Sequence, residues 1–151
     1  MERQLVFVFG TLKQGFPNFG TNAGERLAGE FVTVQPHPLF LVGDRHSPWM
    51  LASPGQGLAV HGQVFGVDEA ALARMDVLER TGEADGYQRV RLQVRDTRAP
   101  AAALDVWAYL KDPDQLRPQD IRLGPLAEYT LAHAALYRSR PPAAPTPGST
   151  P

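Results

Sequence analysis

Residues 5–9, Leu-Val-Phe-Val-Phe, form an unbroken apolar run rich in β-branched and aromatic side chains, and it ends abruptly at Gly10. A strand without polar alternation has no face to give to water, so it belongs inside a sheet with both faces covered. Gly10 to Gly24 then carries four glycines, a proline and several asparagine and threonine turn formers. The first strand therefore opens into a long loop instead of a tight hairpin.

The rest of the chain is cut into short pieces by 14 glycines and 14 prolines. Short strands are predicted over Phe31–Val34, Leu39–Val42 and Trp49–Leu51, and a longer one over Leu58–Val67. Asp68 is a good N-cap for a helix running to about Arg80, with Glu69 in its first turn. Tyr87–Val94 and Leu104–Leu110 read as two more strands. Pro125 after Gly124 looks like a first-turn proline opening a second helix to about Tyr137. Many strands and two helices without βαβ alternation give an α+β class.

At 151 residues the chain is one domain's worth of sequence. Its 15 Lys and Arg against 16 Asp and Glu offer no field for nucleic acid or an anionic membrane. With no cysteine, thiol nucleophiles, disulfides and Cys-based metal sites are excluded. Residues 5–9 are too short to span a bilayer or serve as a signal peptide core, so a cytoplasmic location is expected. Residues 1–140 are read as the domain. Pro141–Pro151, with five prolines and no charge, are read as a disordered tail.

Most catalytic signatures are missing. There is no G-x-S-x-G elbow, and His37, His46, His61 and His133 lack metal-ligand spacing. Gly10-x-x-x-x-Gly15 is followed by Phe16 and Pro17, not the Lys and Ser/Thr of a phosphate loop. Two features stand out. Glu79 falls about 20° from Leu72 on the helical wheel, within the stripe formed by Ala71, Leu72, Met75 and Leu78. It also sits at the negative end of the helix dipole, and both effects push a carboxylate pKa upward. Pairing with Arg80 or Arg89 is the structural alternative. The second feature is the Gly10-Thr11-Leu12 turn, whose backbone N–H groups sit at the edge of the core. They are suited to receive a carboxylate or an oxyanion, and Gly10 admits close approach.

These segments together resemble one family. Val8-Phe9-Gly10-Thr11-Leu12-Lys13-Gln14-Gly15-Phe16-Pro17-Asn18 resembles the V-Y-G-T-L-K-x-G-x-x-N opening of the γ-glutamyl cyclotransferase-like superfamily, nearest its γ-glutamylamine cyclotransferases and avirulence-induced-gene-like proteins. Three further segments follow in order. They are Pro48-Trp49-Met50-Leu51 with Pro54-Gly55, then Val60 to Asp68, then Met75-Asp76-x-x-Glu79 with Tyr87-Gln88-Arg89. The likeness runs from about Leu5 to Leu110 and weakens beyond.

The resemblance implies a mixed-sheet barrel with flanking helices and a small γ-glutamyl substrate, with no metal or organic cofactor. It implies Glu79 as the acid/base, and a pocket lined by Phe9, Gly10, Thr11, Leu12, Tyr87 and Tyr109. A member of the fold that binds an amino-acid-like ligand or a partner without turnover is the other reading. Phe9, Gln63 and Phe65 replace the family's tyrosine, glutamate and tyrosine, which bears on substrate preference more than on fold. Deletion of Pro141–Pro151 is expected to leave the melting temperature almost unchanged, because nothing there can join a packed core. A fall of many degrees in calorimetry would show that the tail docks on the domain.

Overall fold

The computed structural model describes residues 3–19 and 24–138, so the predicted tail lies outside the described residues. The strands are β1 (Gln4–Val8), β2 (Glu25–Arg26), β3 (Phe31–Thr33), β4 (Leu39–Val42), β5 (Ser47–Met50), β6 (His61–Val67), β7 (Gln88–Asp96), β8 (Ala99–Leu110) and β9 (Ile121–Leu123). Helix α1 spans Glu69–Leu78 and α2 spans Leu131–Ala134.

β1, β8, β7, β3 and β6 follow one another around a sheet that closes when β6 pairs with β1. The β1–β8 pairing is parallel and the other pairings are antiparallel, which makes this a mixed five-stranded barrel. β2 adds to β6 outside the closed ring, while β5, β4 and β9 form a separate three-stranded sheet.

The run at residues 5–9 is buried on both faces, as its pattern predicts. Phe7 and Phe9 point into the cluster with Val64, Val94, Val106 and Leu110. Val6 and Val8 join Phe65, Val67 and the α1 residues Ala71, Leu72 and Met75 on the other side. Asp68 caps α1 as expected, accepting from the Ala71 N–H at 2.7 Å. The stripe is shorter than its periodicity suggests. Leu78 is exposed, and Glu79 already has non-helical torsions, because Arg80 adopts a left-handed φ of 57° that ends the helix.

The second helix is the main correction. Residues 124–128 are not helical: Leu126 N–H donates to Leu39 O and His61 N–H donates to Ala127 O, each at 2.8 Å. The Gly124–Pro125 peptide is cis. Tyr129 is fully buried against Phe16, and only then does Thr130 cap a single turn with His133. The backbone groups of 126 and 127 are satisfied by the sheets, so a helix start at Pro125 has no advantage. None of the described helices is long and apolar enough to cross a membrane.

His37 is buried between β3 and β4 with its Nδ1 3.2 Å from Leu51 O. Burial holds its pKa below the ordinary value, with the Leu51 carbonyl opposing. The unfolded chain therefore takes up a proton more readily, and stability falls as pH drops through about 6.5. The urea midpoint is expected to be lower at pH 5.5 than at pH 7.5, and His37→Asn should flatten that slope. An unchanged slope in the variant would remove His37 as the cause.

Candidate active site

One cavity of about 800 Å³ opens where the β1 loop, the end of α1 and the start of β7 meet. Every residue singled out for a site lines it. Phe9 through Leu12 come from the end of β1, Glu79 from the end of α1, and Tyr87 and Tyr109 from β7's threshold and β8.

The loop is held from several directions. Lys13 N–H donates to Gly10 O at 3.1 Å and Asn18 N–H to Thr11 O at 2.8 Å, which makes a compact turn. Buried Gln63 accepts the Gln14 N–H at 2.8 Å, so the residue standing in place of a glutamate still supplies an acceptor. The Lys13 ammonium is buried, donates to Tyr129 O, and has its pKa lowered by that burial.

Gly10 has a packing reason beside the expected one. A Cβ there would lie 2.8 Å from Pro48 Cγ, so its bare backbone makes room for Pro48 first. Phe9 and Leu12 are buried and present their edges to the cavity as packing residues. The Gly10 and Thr11 amides, at the cavity wall, donate to no other backbone carbonyl among the described residues.

Around Glu79 the arginines proposed as structural partners are committed elsewhere. Arg80 Nε and Nη2 hold Asp85 Oδ1 at 3.0 and 2.9 Å, and Arg89 Nε meets Asp76 Oδ1 at 3.1 Å. The 79–87 loop is closed by Tyr87 N–H donating to Glu79 O at 3.0 Å. Tyr109 Oη donates to Asp76 Oδ1 at 2.7 Å, and Tyr87 Oη donates to Pro48 O at 3.1 Å. Burial raises the Tyr109 pKa far above its ordinary range, reinforced by the Asp76 bond and by the nearby Glu79 charge, with Arg89 opposing. Tyr109 therefore keeps its proton and directs it at Asp76.

Asp76 and Arg89 act on the site without lining the cavity: Asp76 stood unused inside a quoted motif, and Arg89 entered only as the alternative partner of Glu79. Several residues that do line it were not singled out from sequence. Lys111 is buried, with Nζ 4.3 Å from the Trp49 ring centre, 4.5 Å from that of Tyr87 and 2.6 Å from Asp85 O. A cation directly after the apolar strand ending at Leu110 was the available signal. Arg45 and Tyr137 meet across 92 residues, which leaves no local signal. Among the described residues no cluster of three or more His, Cys, Asp or Glu has metal-binding geometry.

The family described as γ-glutamyl cyclotransferase, AIG2-like, matches residues 6–139. The chain belongs to that family. The match includes the C-terminal segment, where the resemblance by motif was weak. A γ-glutamylaminecyclotransferase of Homo sapiens is 39% identical over 65% of this chain and 67% of its own length. One of Danio rerio is 34% identical over 74% of this chain and 63% of its own. Across the human, rat, bovine, zebrafish and mouse relatives the match spans 55–67% of their length. The crystal structure of an AIG2-like protein from Mus musculus superposes with a TM-score of 0.79 at 28% identity, covering 96% of this chain and 100% of that one.

Gly10→Ala is expected to destabilise the protein by about 1–3 kcal/mol, since the new methyl overlaps Pro48. In a Pro48→Ala background the Cγ is gone and the same change should be milder. Urea unfolding of the two single variants and the double variant measures that coupling. Additive effects would mean that Pro48 is not what Gly10 accommodates.

Proposed function

We propose that the protein is a γ-glutamylamine cyclotransferase, converting a γ-glutamyl amide to 5-oxoproline and a free amine, with Glu79 as the proton-transfer residue. The observation that carries this reading is that Glu79, Tyr87, Tyr109 and the Gly10–Leu12 turn line one cavity.

The chemistry asks for three things. The attacking α-amine is an ammonium at neutral pH, so a base must take its proton before the nitrogen can bond to the γ-carbonyl carbon. Glu79 takes it. Tyr87 and Tyr109 have turned their hydrogens toward Pro48 O and Asp76, which leaves oxygen lone pairs to orient that ammonium. As the N–C bond forms, negative charge gathers on the carbonyl oxygen and needs donors already in place. The Gly10 and Thr11 N–H groups serve either that oxygen or the substrate α-carboxylate.

The tetrahedral intermediate then collapses: Glu79 returns its proton to the leaving nitrogen, the bond from carbon to that nitrogen breaks, and the second hydrogen of the ring nitrogen passes through the same carboxylate to the departing amine, which leaves as an ammonium. The ring closes within one substrate molecule, so no water, co-substrate or cofactor enters the balance. The reaction is an internal acyl transfer that also eliminates an amine. A cytoplasmic location fits a chain without cysteine.

Glu79→Gln keeps the shape but removes the titration. Turnover of γ-glutamyl amides, followed by 5-oxoproline release, should fall roughly 10²–10⁴-fold. The acidic limb of the pH profile should vanish with it, while the melting temperature stays close to wild type. Activity within a few-fold of wild type, with a fall in melting temperature, would make Glu79 a structural residue.

A further inference from the structure

The hydrogen-bond polarity of the cavity wall is not uniform. Beside Glu79 the two tyrosine hydroxyls give their hydrogens away, so that region offers acceptors. The wall built from Thr11, Asn18, Arg45 and Tyr137 has the opposite character. Tyr137 Oη accepts from Asn18 Nδ2 at 3.2 Å and from Arg45 Nη2 at 3.0 Å. A phenol oxygen with both acceptor positions filled has only its own O–H left to offer, so Tyr137 acts as a donor.

Arg45 is held across this wall by its backbone and its side chain. Its Nε donates to Arg138 O at 3.0 Å, and Arg138 N–H donates back to Arg45 O at 2.9 Å. Its carbon-centred charge lies 5.6 Å from the Tyr137 ring centre. These contacts engage two of the five guanidinium N–H groups, both on neutral oxygens. The neighbouring acids that line the cavity are matched to other arginines, Asp44 to Arg122 at 3.1 Å and Asp120 to Arg117 at 3.4 Å. Among the described residues no carboxylate forms an ion pair with Arg45. An oriented cation with spare donors, beside a hydroxyl compelled to donate, suits an anion. The cavity of about 800 Å³ falls in the range that takes drug-sized ligands, so it has room beyond a γ-glutamyl group.

We propose that Arg45 and Tyr137 form a subsite for a carboxylate on the leaving amine, so that γ-glutamyl derivatives of amino acids are preferred to those of plain alkylamines. This rests on the cyclotransferase reading and adds to it the identity of the group that departs. The carboxylate takes no part in bond making. It anchors the far end of the substrate, which places the scissile amide against Glu79.

A matched series tests it: γ-glutamyl amides of ω-amino acids with three to six carbons, each beside the alkylamide of equal length. At the best-fitting length the carboxylate substrate should have a kcat/KM roughly 10-fold higher or more, carried mainly by KM. Arg45→Gln should reduce that ratio toward one, and Tyr137→Phe should reduce it partly while keeping the ring. Salt at 1 M should compress it as well, since the cation is partly open to solvent. Equal turnover of both partners at every length, or a ratio that survives Arg45→Gln, would overturn the subsite and leave the activity reading standing. If no amide of either kind yields 5-oxoproline, the activity reading fails first and the subsite falls with it.

Discussion

Val6 pairs with Phe65 on one side, antiparallel, and with Trp107 on the other, parallel. That double pairing closes the barrel, and the position of the site follows from it. With both edges bonded and both faces packed, Val6, Phe7 and Val8 of β1 are buried, each large side chain contributing about 1.5–3 kcal/mol on burial. Because β8 runs parallel to β1, their ends arrive at one rim, bringing Gly10 to the neighbourhood of Tyr109 and Lys111. β7, antiparallel to β8, starts there with Tyr87. β6 runs the other way and leaves the barrel at the opposite rim, where Val67 faces Gln4. Helix α1 must then bring the chain back. Its 10 residues rise roughly 15 Å, close to the roughly 17 Å covered by the five residues of β1. Glu79 is delivered beside Gly10 by this match of lengths.

The two carboxylates at that end of α1 are separated in role by what surrounds them. Asp76 has its Oδ1 occupied by the Tyr109 hydroxyl and the Arg89 guanidinium, and its carbonyl receives Thr81 N–H and Oγ1–H at 3.0 and 3.1 Å. It is a structural hub that sets the direction of the Tyr109 proton. Glu79, three residues on, lies past the last helical torsion and beside the cavity. Arg89 also stacks on Trp107, 4.4 Å from the ring centre, so the cation that satisfies Asp76 is itself braced against β8. The geometry near Glu79 is thereby carried by the sheet and not by a mobile side chain.

The parts legible in the sequence were those governed by local pattern. Residues 5–9 declared a doubly buried strand because no polar residue interrupts them, and Asp68 declared a helix start because its side chain reaches the Ala71 N–H. Glu79 was placed near the right face because three turns of helical wheel hold almost to the end of α1. The misreadings share a cause. Leu78 was assigned to the packed stripe because nothing in the sequence announces that Arg80 turns left-handed. Pro125 suggested a helix because the carbonyl of Leu39 and the amide of His61, which engage the segment's backbone, are far away in the chain. The packing of Gly10 against Pro48 went unseen because Pro48 comes from another strand. Arg45 and Tyr137 carried no signal, and Asn18 only as the end of the opening motif, because the three are assembled only by the return of the C-terminal segment.

That division also separates chemistry from selectivity. The residues assigned to proton transfer and charge stabilisation sit on the barrel rim and on a loop with little freedom. Within 79–87, a Cβ on Gly86 would lie 1.8 Å from Arg80 O, and the Arg80–Asp85 pair spans the turn. Changes there disturb packing as well as reactivity, so the loop is poorly placed to vary. The Arg45–Tyr137 wall is built differently, from a turn beyond β4 and a segment following a single turn of helix, joined through side chains and a single backbone–backbone bond. Substitutions in it alter which donors face the cavity without touching β1, α1 or the barrel closure. A family that keeps one reaction while changing the departing amine would find its latitude in such a wall, where loops rest on the scaffold without forming part of its core.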